Sequence, residues 1–126
     1  MKAVTFSYDD GVTQDIRLVE ILNRYNLKAT FNLNSELLGK DGSLDILGKR
    51  ILHNKIQPHE ITEVYKGHEI AAHTLTHPDM TEMPADEVIR QVEQDRLNLS
   101  ELSGTEVIGM AYPGRQPNYN SRIARI

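Results

Sequence analysis

The order of strand-like and helix-like segments along this 126-residue chain predicts an α/β domain with about four parallel strands and intervening helices. Two further observations support that class. The residues able to do chemistry fall just after the segments that read as strands, where α/β sheets gather their functional groups. No internal repeat, low-complexity stretch or Pro/Ser-rich linker divides the chain, so residues 1–126 are expected to form a single domain. A globule of this size buries roughly two-thirds of its unfolded surface around one core.

The elements are predicted in order. Residues 2–7, rich in Val, Thr and Phe, read as a short strand ended by the polar turn Asp9-Asp10-Gly11. Ile16, Val19, Leu22 and Tyr25 recur at helical spacing over residues 14–26, with Leu18 and Ile21 widening the stripe. From Ala29 to Asn34, Ala29, Phe31 and Leu33 alternate with Thr30, Asn32 and Asn34, a strand with one polar face. Gly39, Gly42 and Gly48 punctuate residues 35–55 and predict a loop or small hairpin. Pro58, at a position the first helical turn tolerates, opens a short helix through Ile61, Val64 and Tyr65 that Gly67 ends. Residues 68–72 read as a third strand, with His68 capping or flanking it. Pro84 opens a longer helix carrying Val88, Val92, Leu99 and Leu102, with Ile89 beside them, and Ser103-Gly104 stops it. Residues 107–110 read as a fourth strand.

Composition excludes several classes of function. The 14 Lys+Arg against 18 Asp+Glu leave a net charge of −4 with no basic run, so the electrostatic footprint of a nucleic-acid binder is missing. Without cysteine there is no disulfide, thiolate nucleophile or Cys-based zinc site, and His and carboxylates are the only metal ligands on offer. No stretch approaches a membrane span, and the N-terminus lacks the apolar core of a signal peptide. A cytoplasmic location is the expectation for the chain as it stands, and an extracellular one if it is an excised domain.

The segment Thr5-Phe6-Ser7-Tyr8-Asp9-Asp10-Gly11 is matched much later by His73-Thr74-Leu75-Thr76-His77. Two adjacent carboxylates can divide roles, one turned to a metal and the other left as a base. Imidazoles four residues apart can supply further ligands, and an Asp with two His leaves coordination positions open for water and substrate. Taken alone, Asp-Asp-Gly is an ordinary turn, and His before proline often only ends a segment. The combination at matched strand ends is what points to a site. His53 and His59 read as solvent-facing, and the polar face of Asn32 and Asn34 needs no explanation beyond a polar strand face, though both could face the site. Asn98-Leu99-Ser100 matches a glycosylation sequon but sits on the last helix.

Phe6-Ser7-Tyr8-Asp9-Asp10-Gly11, His73-Thr74-Leu75-Thr76-His77 and Ala111-Tyr112-Pro113-Gly114 resemble the first three motifs of the polysaccharide deacetylases, carbohydrate esterase family four. The resemblance implies a deformed (β/α) barrel, of which this chain holds the N-terminal part, and metal-assisted removal of acetyl groups from N-acetylated sugars. It makes Asp9 the catalytic base and Asp10, His73 and His77 the ligands of one divalent metal. Zinc suits that set, and cobalt, manganese, nickel or iron can occupy the same ligands. The Gly114 N–H would help stabilise the tetrahedral oxyanion, with Tyr112 and Pro113 beside the substrate, although Tyr112 could equally serve packing. The implied partner is a carbohydrate or small acetylated amine.

Two departures from the family pattern stand out. The arginine that usually precedes the proline by two residues and pairs with the base is replaced by Ala111, with Arg115 nearby as a substitute or as an ordinary exposed arginine. The family's last two motifs, including the histidine general acid, would lie beyond Ile126, so the chain is expected to be an incomplete barrel whose unpaired edge invites self-association. Three readings follow: a metal-dependent N-deacetylase acting on an N-acetylglucosamine-containing glycan or related amine; a catalytically impaired carbohydrate- or metal-binding remnant of that fold; and a metal-dependent sugar isomerase or epimerase, which would release no acetate.

Overall fold

The computed structural model describes residues 2–126. Strand β1 (Ser7–Asp9), helix α1 (Asp15–Arg24) and strand β2 (Thr30–Leu33) come first, and β2 pairs in parallel with both β1 and a later strand, β5 (Glu69–Ala72). The sheet order is β1-β2-β5, so β2 is the central strand. Register aligns Asp9 with Asn32 and Asn32 with Ala71, one row across the sheet. The first strand starts later than its Val/Thr/Phe run predicts, because what pairs with β2 is the segment from Ser7 on. Val4, 79% exposed, packs on nothing comparable.

Residues 35–55 do form a hairpin, β3 (Ser43–Ile46) and β4 (Lys49–Leu52), antiparallel and separate from the main sheet. Its return strand continues into residues that lie along the acidic turn. Val12 and Lys55 form an antiparallel bridge, Thr13 N–H donates to the Asn54 carbonyl at 2.8 Å, and Ile56 N–H to that of Gly11 at 2.9 Å. The proline-led helix begins as a 3-10 turn, Pro58–Glu60, and runs into α2 (Ile61–Val64), ending at Gly67 with φ +81° as a C-terminal glycine should.

The longer helix is α3 (Ala85–Ile89) and α4 (Asp95–Ser103) joined by a π-helical segment over Arg90–Gln94. Its buried stripe is Val88, Gln91, Asp95 and Leu99, whereas Ile89 and Leu102 are exposed. The apolar residues alone mispredict this face, because two of its inward positions, Gln91 and Asp95, are polar. In α1, similarly, Val19 and Leu22 are buried while Ile16, Ile21 and Tyr25 are exposed. The fourth expected strand, 107–110, is reduced to one parallel bridge between Met110 and Ala72, carried by Ala72 N–H to the Gly109 carbonyl and Ala111 N–H to the Ala72 carbonyl, each 2.9 Å.

The core lies under the sheet, where Phe31, fully buried, stacks near Tyr8 and Tyr65 at centroid distances of 5.7 and 4.7 Å. Val19, Leu22, Ile56, Ile61 and Leu99 close around it. His68 flanks the third strand as expected, accepting the Ala29 N–H at Nδ1 (3.2 Å) and meeting Phe31 edge-on. A second cluster of Met80, Val88 and Ile123, joined by Tyr112, forms beyond the long helix.

One carboxyl enters the core's edge. Asp15 accepts the Tyr65 hydroxyl at 2.7 Å, and both side chains are buried. Burial pushes the Asp15 carboxyl up from 3.8 to about 6, outweighing the Tyr65 hydroxyl, the Val12 N–H and nearby Lys55, which favour the carboxylate. The folded state therefore keeps this proton where the unfolded chain has released it. The contribution to stability is full below about pH 4 and is lost as the pH rises through about 6, worth on the order of 3 kcal/mol. Urea titrations should show the wild type losing unfolding free energy across that window relative to Asp15→Asn, whereas parallel pH curves for the two would mean that Asp15 does not titrate there.

Candidate functional site

The site is built from the carboxyl ends of β1 and β5 and from the chain leaving β4. After β1, Asp10 and Gly11 both take positive φ, +80° and +60°. Asp tolerates that region better than most residues, and Gly11 is required there because a Cβ would stand 2.9 Å from the Leu33 side chain. The reversal is pinned by Asp10 N–H donating to the Asn32 carbonyl at 2.9 Å. It turns Asp10 toward the histidines and leaves Asp9 on the strand.

Asp10 Oδ1 lies 3.9 Å from His73 Nε2 and 3.6 Å from His77 Nε2, and the three groups offer ligand atoms all within 4.8 Å of one another. Donors each roughly 2.0–2.2 Å from one ion are separated by no more than about 4.4 Å, so the two distances from Asp10 suit a shared divalent cation. The His73 ring is oriented for that role. Its Nδ1 is 3.0 Å from the Ala111 carbonyl, which can only accept, so Nδ1 carries the proton and the Nε2 lone pair faces Asp10. Position 111 thus acts through its backbone.

Asp9 is held apart. The buried Asn32 amide donates to Asp9 Oδ1 at 2.7 Å, and also reaches Ser7 Oγ at 2.9 Å and the Tyr8 carbonyl at 3.3 Å. Two positions on, just past the end of β2, Asn34 donates to the carbonyls of His73 at 2.6 Å and Thr74 at 2.9 Å. The polar face of β2 therefore holds both arms of the site. Among the described residues Arg115 makes no ion pair with Asp9; it is exposed, and a neutral amide from β2 stands beside the carboxylate instead.

Sequence reasoning missed two residues around Asp10. His53, expected to face solvent, has Nε2 3.2 Å from Asp10 Oδ2, and the buried Lys55 places Nζ 2.8 Å from the Asp10 carbonyl and 3.6 Å from Oδ1. An ammonium can only donate, so His53 Nε2, 3.3 Å from Lys55 Nζ, accepts from Lys55 in one tautomer and donates to Asp10 in the other. Burial by itself would raise the Asp10 carboxyl, but Lys55 and then His77, His73 and His53 overcome it and hold the group below the ordinary carboxylate range. Burial in turn pulls the Lys55 ammonium below its usual range, against Asp10 and Asp15. No signal in residues 53–55 marks them in advance, since their approach depends on how the hairpin returns.

The third motif divides. Pro113 is buried, Tyr112 packs on the second cluster and stacks on Tyr119 at 5.3 Å, and Gly114 is exposed with φ +88°. The Gly114 N–H donates to no group among the described residues, and the segment reaches the Asp10, His73 and His77 group through Ala111.

Fold and site together define an α/β domain with a carboxylate and two imidazoles suited to one divalent cation, beside a second carboxylate held separately. The chain belongs to the polysaccharide deacetylase family, whose profile matches residues 1–126. It is 27% identical over 107 residues to a bifunctional xylanase/deacetylase of Pseudobutyrivibrio xylanivorans, covering 84% of this chain and 15% of that protein. It is also 27% identical over 94 residues to the peptidoglycan-N-acetylglucosamine deacetylase PgdA of Listeria monocytogenes, covering 72% of this chain and 17% of that one. Among solved structures, the Streptococcus pyogenes deacetylase PplD in complex with acetate superposes with TM-score 0.77 at 24% identity, covering 98% of this chain and 50% of the other. A family 4 acetyl xylan esterase from Clostridium thermocellum in complex with a cobalt ion aligns with TM-score 0.57 at 22% identity, over 84% of this chain and 46% of the other. These likenesses establish the barrel fold, of which this chain spans about half the length of the solved relatives.

Because the Asn32 amide serves three acceptors in a buried position, Asn32→Ala should lower unfolding free energy by about 1–3 kcal/mol. Denaturant titration measures this, and a loss under about 0.5 kcal/mol would mean that the amide is not holding Asp9.

Proposed function

We infer that this chain carries the metal-binding and proton-accepting part of a metal-dependent hydrolase that removes N-acetyl groups from an N-acetylglucosamine-containing glycan or a related acetylated amine. The observation that carries the reading is the division of labour between adjacent carboxylates: Asp10 faces His73 and His77, while Asp9 is held away from them by Asn32. The relatives agree with it, since one is a peptidoglycan-N-acetylglucosamine deacetylase, one was solved with acetate and one with cobalt.

In this reading Asp10, His73 and His77 hold the ion, zinc in the first instance, with cobalt, manganese, nickel or iron able to use the same donors. The ion would supply Lewis acidity to the acetyl carbonyl and to the attacking water. Asp9 accepts the proton of that water, which requires its carboxylate to stay unligated, and the Asn32 amide keeps it turned for the task. By the family resemblance alone, the Gly114 N–H would donate to the oxyanion that develops on the carbonyl oxygen, with Tyr112 and Pro113 beside the acetyl group. Protonation of the departing amine falls to a residue outside residues 1–126, as the relatives' greater length permits. The impaired-remnant reading draws on Ala111 and on the uncharged partner of Asp9; release of acetate separates the two, and also sets aside an isomerase or epimerase.

In the longest form of the protein, Asp9→Asn should retain metal content while acetate release drops on the order of 10²–10⁴-fold, the usual worth of a general base. Asp10→Asn should lose metal and partly recover at high metal concentration, and His73→Ala with His77→Ala should abolish binding. Elemental analysis and acetate assays on the same samples decide the matter: metal lost from Asp9→Asn and kept by Asp10→Asn would reverse the assignment.

A further inference from the structure

The loop from His73 to His77 carries two of its five residues at positive φ, Thr74 at +69° and His77 at +57°. A β-branched threonine in that region is strained, so something must hold it. The holder on one side is Asn34, described above. On the other side is the π-helical segment of the long helix. Each turn there spans five residues instead of four, so one carbonyl drops out of the helical ladder. The Gln91 carbonyl accepts the Leu75 N–H at 3.1 Å. The Gln91 side chain accepts the Thr76 N–H at 3.2 Å and donates to Thr76 Oγ1 at 3.1 Å. Asp95, the first residue past the segment, accepts the His73 N–H at 2.9 Å and the Ser35 N–H at 2.7 Å. Three of the loop's backbone amides, at residues 73, 75 and 76, are thus bound by two residues of one helix, and both are buried, Gln91 at 3% exposure and Asp95 at 0%.

An uninterrupted α-helix would not offer this set of acceptors. The Gln91 carbonyl would be consumed by the helix itself, and Gln91 and Asp95 are costly to bury unless the loop answers them. Neither residue touches Asp10, His73 Nε2 or His77 Nε2. Their reach is to the peptide groups that carry the imidazoles.

We propose that Gln91 and Asp95, which share one face of the long helix beside the carbonyl that the π turn frees, are positioning residues that fix the His73–His77 backbone so that both imidazoles meet Asp10. The proposal rests on the metal-site reading above. Its consequence is that coordination geometry and affinity are set from the helix, at a distance from the ligands, as partners behind a metal's ligands commonly do.

Cobalt serves as the probe, because its visible absorption reports coordination geometry independently of turnover. Gln91→Leu and Asp95→Asn should each bind cobalt on the order of 10-fold or more weakly with an altered visible spectrum. Should a variant fail to fold, amide exchange on the wild type decides the point: the Leu75 and Thr76 amides should exchange about 100-fold or more slowly than exposed loop amides. Wild-type affinity and spectrum in the folded Gln91→Leu and Asp95→Asn proteins, or unprotected Leu75 and Thr76 amides, overturn this inference alone. A wild type that takes up no cobalt overturns the metal reading of the site and this inference with it.

Discussion

The structure depends on the requirement that the buried amides of the central strand find partners. Asn32 on β2 and Asn34 just past its end have almost no exposure, and a primary amide left unpaired in such a place costs on the order of 1–3 kcal/mol. Their amino groups bond to different neighbouring segments, Asn32 Nδ2 to the end of β1 and Asn34 Nδ2 to the chain leaving β5, while Asn34 Oδ1 stays without a partner among the described residues. Because parallel pairing aligns the carboxyl ends of all three strands, the two amides tie together stretches of chain far apart in sequence. Misregister by one residue would turn Asn32 and Asn34 into the hydrophobic layer that Phe31 and Leu33 occupy. Register, core and site are therefore one constraint.

Asp10 presents the opposite problem, an excess of cationic or potentially cationic partners. Three imidazoles and an ammonium surround one half-buried carboxylate. The two faces of the carboxylate are used differently. Oδ1 looks to His73 and His77, from the β5 side, and Oδ2 looks to His53, from the hairpin side. Lys55 bonds to the same residue's backbone carbonyl and stands between Asp10 and Asp15, linking the site to the Tyr65 hydroxyl in the core. In the metal-site reading proposed above, a pre-set carboxylate would lose less conformational freedom on taking up a cation.

The departures from the family pattern take on a different meaning in three dimensions. Ala111 lacks the side chain that would pair with the base, yet its carbonyl fixes the proton and the plane of the His73 ring. Asn32, from a strand and not from the third motif, is the group that touches Asp9. An amide orients a carboxylate without neutralising it, so Asp9 keeps its capacity to accept a proton in the reading given above. The bridge at Met110 places this motif beside β5 with only two backbone bonds, which leaves the segment less constrained than the strands it adjoins.

The residues that declare themselves in the sequence are those whose chemistry is unusual where they stand. Adjacent carboxylates after an apolar run, and two histidines at a fixed spacing after another, need no partner to be noticed, and the 2-residue and 3.6-residue periodicities locate the elements that carry them. The sheet's parallel class and the two arms of the site were legible for that reason, whereas the glycines of residues 35–55 left a loop or a small hairpin open. What tertiary structure alone decided is every contact whose logic is pairing at a distance. His53 and Lys55 reach Asp10 only because the hairpin returns along Gly11–Thr13. Gln91 and Asp95 look like surface residues because they are polar, and local propensity does not encode a π turn whose freed carbonyl is satisfied by another loop. Hydrophobic periodicity reports which face is buried when burial is apolar. It is silent where the buried face is polar, because there the stabilisation comes from hydrogen bonds to backbone groups that any residue possesses.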